Sequence, residues 1–125
     1  MLGNYDAIVT IAVKDIEVAK KFYDATLGLK RTEHQEEGTL SYQTAKSTIF
    51  VYPSQFAGTN QATAVTWIVD DVDAIVADLK AKGVVFEHYD NLPDTTLKGD
   101  VHVGGGRKLA WFKDPDGNIH ALANR

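Results

Sequence analysis

Val13-Lys14-Asp15-Ile16-Glu17-Val18-Ala19 and Val69-Asp70-Asp71-Val72-Asp73-Ala74-Ile75 are one pattern written twice, 56 residues apart. In each copy a β-branched run ends at an aspartate suited to cap a helix, and apolar residues then recur at helical spacing. Two copies are too few for a solenoid, so the pattern points to one domain built from two related halves.

Reading outward from the first copy, Asp6–Val13 is a strand by its β-branched, mostly apolar content. After Asp15, Ile16, Ala19, Phe22 and Tyr23 share one helical face, and Glu17, Lys20, Lys21 and Asp24 lie opposite. Gly28 is a natural helix stop. Strands are predicted at Leu29–Gln35, Thr39–Thr44 and Thr48–Tyr52. The second copy repeats this order: strand Ala64–Val69, a helix with Val72, Ile75, Val76 and Leu79 on one face, a stop at Gly83, and strand Val84–Tyr89. Residues 90–106 read as loop, and strands Lys108–Lys113 and Asn118–Ala123 flank the turn signal Asp114-Pro115-Asp116-Gly117. The expected fold is α+β: two βαβββ modules forming curved mixed sheets around a cavity, with the helices on the outer face. Module one spans about 5–53, a linker about 54–62 and module two about 63–125.

Composition narrows the chemistry. The 125 residues include no cysteine, which excludes disulfides, thiolate catalysis and zinc–thiolate sites. Any metal would depend on the four histidines, carboxylates or water. A net charge of −4 argues against a nucleic-acid surface, which needs clustered Lys and Arg. Apolar runs are too short for a transmembrane helix or a signal-peptide core, so no membrane partner and a cytoplasmic location are expected.

Three segments together resemble the vicinal oxygen chelate superfamily, the group of glyoxalase I, bleomycin-resistance proteins, fosfomycin-resistance enzymes and extradiol dioxygenases. They are Ile11–Glu17 with Phe22-Tyr23 and Leu27-Gly28-Leu29, then Trp67–Ala74, then Phe112-Lys113-Asp114-Pro115-Asp116-Gly117-Asn118. The resemblance covers essentially the whole chain. It implies the paired βαβββ fold, a homodimer and, in the metal-dependent members, a divalent ion on the cavity face. The positions to which the resemblance assigns ligands are Ile8, Ala64, Ala121 and the neighbourhood of Phe50, with Tyr52 one pleat away. None of Ile8, Phe50, Ala64 or Ala121 can donate to a cation, and a one-residue slip supplies only His120, on the opposite strand face. No metal and no cofactor is therefore expected.

Alternation places Ile8, Thr10 and Ala12 on one face of the first strand and Ala64, Thr66 and Ile68 on the corresponding face of its counterpart. A ligand site is expected from Ile8, Thr10, Phe50, Tyr52, Ala64, Thr66, Trp111 and Ala121, with Arg107 able to pair with a carboxylate. His102 is expected in an exposed loop from which it could reach a ligand. Gly104-Gly105-Gly106-Arg107 lacks the Lys-Ser/Thr of a phosphate loop and reads as a mobile flap ending in a base. Trp67 and His120 are expected away from the cavity, under the helix; for His120 a subunit contact is the alternative. No nucleophile–base–acid set is visible. The reading that follows is a metal-free small-molecule binding protein, sequestering or carrying a planar or apolar ligand. The alternatives are a lyase, isomerase or dioxygenase-like enzyme of the same superfamily, or a structural dimer with a filled cavity.

Overall fold

The computed structural model describes all residues from 1 to 125, which divide into two compact units, Met1–Thr59 and Asn60–Arg125. In the first unit a short 3-10 turn, Leu2–Asn4, precedes β1 (Val9–Val13) and α1 (Ile16–Lys21). The strands β2 (Lys30–Arg31), β3 (Leu40–Gln43) and β4 (Thr48–Pro53) follow, and the sheet order is β1-β4-β3-β2. β1 and β4 run parallel, so Thr10 faces Phe50 and Ala12 faces Tyr52 across the ladder. β3 is antiparallel to both of its neighbours.

Asp15 starts α1 as the sequence implies: its Oδ1 accepts from the backbone N–H groups of Glu17 (2.9 Å) and Val18 (3.3 Å). α1 then widens into a π-helical turn at Phe22–Thr26, where the Leu27 N–H donates to the Phe22 carbonyl at 2.9 Å. Gly28 at φ 66 lets the Leu29 N–H reach back to Tyr23 at 3.0 Å and close the helix. Ile11, Val13, Ile49, Val51, Leu40 and Tyr42 are buried on the sheet with Ala19 and Tyr23 of the helical segment. The buried Tyr42 hydroxyl donates to Asp24 Oδ1 at 2.8 Å, and Arg31 holds Asp24 Oδ2 at 2.8 Å. That guanidinium, opposed by partial burial, keeps the Asp24 carboxyl below its ordinary range.

The second unit carries β5 (Thr63–Val69), α2 (Val72–Ala81), β6 (Phe86–Glu87), β7 (Thr96–Lys98), β8 (Val101–Gly104), β9 (Arg107–Lys113) and β10 (Ile119–Asn124). The order is β5-β10-β9-β8-β7, and β6 pairs with the far half of β9. β5 and β10 are parallel, the counterpart of β1 and β4. Asp71 caps α2 through Ala74 N–H at 3.1 Å. Asp114 organises the last turn: its Oδ1 accepts from Asp116 N and Asn118 N, both at 2.9 Å, and its Oδ2 from Asn118 Nδ2 at 2.8 Å. The repeated strand–cap–helix–glycine pattern is thus the skeleton of two mixed sheets, each with one α-helix.

Three local expectations are corrected. Residues 90–106 are not loop throughout, because β7 and β8 form a hairpin within them. The predicted strands Leu29–Gln35 and Val84–Tyr89 shrink to two paired residues each, at Lys30–Arg31 and Phe86–Glu87. The glycine run is a tight turn and not a flap: Gly104 pairs with Arg107, and Gly105 and Gly106 take φ 60 and 78 between them. Two consecutive positive φ values suit the twist of a two-residue hairpin, and glycine supplies them without a Cβ clash.

Candidate functional site

Each sheet has one face packed into its unit and one face with exposed side chains. In the first unit the exposed face carries Ile8 (53% exposed), Thr10, Phe50 and Tyr52. Phe50 and Tyr52 stack with ring centroids 6.2 Å apart and planes 12° apart. That places a flat aromatic pair beside the small Ala12 and the Thr10 hydroxyl on the neighbouring strand.

In the second unit Ala64, Thr66 and Ile68 of β5 are exposed, and Val65 is buried on the other face. Ala121 lies between Thr66 and Trp111 in the ladder, and Ala123 between Ile68 and Leu109. Both alanines are buried, small side chains between larger ones on the flanking strands. Alternation puts Arg107, Leu109 and Trp111 on this same face of β9. The row therefore runs from a guanidinium through an aliphatic centre to an indole. The Trp111 N–H reaches Thr63 Oγ1 at 3.3 Å. Arg107 is exposed and has no side-chain hydrogen bond or ion pair.

His102 departs most from expectation. It lies in β8 rather than in a loop, and it is 1% exposed. The Tyr89 N–H donates to its Nε2 at 3.0 Å, and its Nδ1 lies 3.3 Å from the Leu109 carbonyl. The ring that satisfies both contacts is neutral, with its proton on Nδ1. Tyr89 and Trp111 pack against it at 5.9 and 5.0 Å. His102 thus ties the start of the 89–95 segment to the sheet. The missed signal was Val101-His102-Val103 before Gly-Gly and a second alternating run, which spells a hairpin.

Beside this latch lies a cleft of about 330 Å³, walled by Leu92–Thr95 on one side and by Gly104, Gly105, Arg107 and Leu109 on the other. A separate cleft of about 390 Å³ in the first unit lies between the start of α1 and the 35–40 segment. Its guanidinium, Arg31, is already committed to Asp24.

Trp67 and His120 sit on the packed side of the second sheet. The Trp67 indole donates to His120 Nδ1 at 3.0 Å, and Phe112 stacks on His120 at 4.9 Å. Burial depresses the His120 pKa to about 4, with Asp114 opposing weakly. His88 is exposed and meets Asp100 at 2.7 Å, and Lys80 meets the same carboxylate at 2.6 Å. These contacts link the end of α2 and His88 to the turn between β7 and β8.

A divalent ion needs fixed donors. At the four positions where the resemblance assigns metal ligands, the structure presents the hydrocarbon side chains of Ile8, Phe50, Ala64 and Ala121. No three His, Asp or Glu side chains gather into a ligand set elsewhere. The residues present do not fit the family's metal.

A family model described as the Glyoxalase/Bleomycin resistance protein/Dioxygenase superfamily matches residues 7–122. Among solved structures, a glyoxalase / bleomycin resistance protein from Catenulispora acidiphila DSM 44928 superposes with TM-score 0.69 at 22% identity, covering 96% of this chain and 97% of its own. The fosfomycin resistance protein FosX from Listeria monocytogenes gives TM-score 0.70 at 14% identity, over 97% of this chain and 93% of its own. Lactoylglutathione lyase from Agrobacterium tumefaciens gives 0.65 at 18% identity, over 96% and 94%. No curated protein matches the chain in sequence. At these identities the likeness to solved structures carries the fold alone.

Proposed function

The chain belongs to the glyoxalase/bleomycin resistance protein/dioxygenase superfamily, and from that membership we propose that it is a metal-free small-molecule binding protein. It would sequester or carry a planar or apolar ligand on the exposed sheet faces, as a cytoplasmic homodimer. The carrying observation is hydrocarbon at Ile8, Phe50, Ala64 and Ala121, where the resemblance assigns metal donors, with Phe50 stacked on Tyr52 in the first unit. Each unit by itself offers an exposed face of apolar side chains with a hydroxyl, Thr10 in the first and Thr66 in the second, and the second adds the unpaired Arg107 guanidinium; neither face offers a Lewis acid. Catalysis through a bound metal has no donor set at these positions to support it.

The test is metal analysis of protein purified without chelator, followed by a ligand melting screen. We expect substoichiometric metal and at least one stabilising planar ligand whose effect falls in Phe50→Ala and Tyr52→Ala. Stoichiometric Zn, Ni, Mn or Fe with turnover would instead support an enzyme, as the neighbour named lactoylglutathione lyase is.

A further inference from the structure

We propose that the cleft under the Leu92–Thr95 segment binds the polar head of an amphoteric apolar molecule, of which a hydrophobic amino acid is the simplest example. The inference rests on the exposed sheet face being a ligand surface, and it names the class of ligand. Two charged residues line the cleft from opposite walls, Arg107 on β9 and Asp94 on the loop. They form no ion pair with each other, and neither has another ion-pair or hydrogen-bond partner through its side chain. The rest of the lining is the apolar Leu92, Pro93 and Leu109 with Thr95 and two glycines. A carboxylate would meet the Arg107 fork in two parallel hydrogen bonds, and an ammonium would meet Asp94. Arg107, Leu109 and Trp111 follow one another on the same face of β9. A ligand headed at Arg107 therefore has an aliphatic and then an aromatic surface along which to lay its apolar body.

Two hydrogen bonds and one close backbone contact shape the wall of the cleft. His102 holds the Tyr89 N–H from beneath, at 3.0 Å. Thr95 Oγ1 donates to the Leu92 carbonyl at 3.1 Å, which folds the wall upon itself. Asp94 occupies the left-handed region at φ 55, the only non-glycine residue that does. Its carbonyl packs so closely on Gly104 that any Cβ there would overlap it. A left-handed aspartate against an obligatory glycine sets the spacing of the two walls.

The experiment is an amide chemical-shift titration of the full chain with L-phenylalanine, L-phenylalaninamide and N-acetyl-L-phenylalanine. These probes carry both charges, the ammonium alone and the carboxylate alone. We expect shifts concentrated at Leu92–Thr95 and Gly104–Leu109, with phenylalanine binding about tenfold tighter than either derivative, one charge-assisted contact each. Arg107→Gln should lower phenylalanine to the affinity of its amide and leave the amide unchanged. Asp94→Asn, tolerated at a left-handed φ, should do the same with respect to the acetylated probe. Shifts elsewhere, no shifts at all, or equal affinities unaffected by both variants would overturn the proposal. A planar ligand lost in Phe50→Ala would still uphold the broader binding reading in each of those cases, so the two fail separately.

Discussion

The Trp67 indole donates to His120 Nδ1 across 3.0 Å, from the strand beside it in the second sheet. This bond fixes the His120 ring as a neutral acceptor at Nδ1 inside a packed layer where it is 0% exposed. An imidazolium, protonated at Nδ1, would lose that bond.

The pH consequence has a definite sign. His120 titrates near 4 when folded and near 6.5 in the unfolded chain. The unfolded state therefore binds more protons below neutrality, and stability falls as pH drops from about 6.5 towards 4. The expected loss between pH 7 and pH 5 is on the order of 2 kcal/mol, read from denaturant midpoints. His120→Asn keeps an acceptor near the Nδ1 position and should flatten that window. An equally steep slope in this variant would assign the titration to another group.

Trp67→Phe removes the donor and leaves a buried ring nitrogen short of a partner. A cost of about 1–3 kcal/mol is expected, with an unchanged denaturant slope. A loss within a few tenths of wild type would mean that the bond is replaced by another contact.

Asp114 joins three donors in the turn before β10. Asp114→Ala should cost about 2–3 kcal/mol because two backbone N–H groups and an amide lose a charged acceptor. Asp114→Asn should retain part of that, since one oxygen remains. Equal midpoints for the two variants would contradict the carboxylate's role.

Gly104 and Gly105 separate crowding from backbone strain. Gly104→Ala would drive a methyl into the Asp94 carbonyl, and something must shift, at about 1–3 kcal/mol, with the cleft wall displaced. At Gly105 there is open space around a Cβ but φ is 60, so Gly105→Ala should cost about 1 kcal/mol and leave the cleft intact. Amide shifts at Leu92–Thr95 should move in the first variant alone.

Much of this architecture is legible in the sequence because it is written in short-range chemistry. Asp15 and Asp71 announce caps, Gly28 and Gly83 announce stops, and Asp114-Pro115-Asp116-Gly117-Asn118 announces a turn whose aspartate is the acceptor. Strand parity separates Val65 from Thr66 correctly. What escapes is what tertiary context decides. Thr96-Leu97-Lys98 is exposed throughout and only three residues long, too short for alternation to mark it as a strand. His102 looks like a loop residue because its burial comes from a segment that folds back over it 13 residues earlier in the chain. The cleft is invisible for the same reason, since Asp94 and Gly104 meet only in three dimensions. Of the residues expected to line a ligand site, Ile8, Thr10, Tyr52, Ala64 and Thr66 are exposed, Phe50 and Trp111 are half-buried, and Ala121 is buried between its neighbours on the ladder.

The most direct test of metal-free ligand binding is one differential melting screen of wild type and Phe50→Ala. Planar organic ligands and divalent metals are run side by side. The account predicts that metals leave the melting temperature of wild type unchanged, and that a planar ligand raises it by an amount that collapses in Phe50→Ala. A saturable rise with Zn, Ni, Mn or Fe, or a ligand shift of equal size in Phe50→Ala, would contradict it.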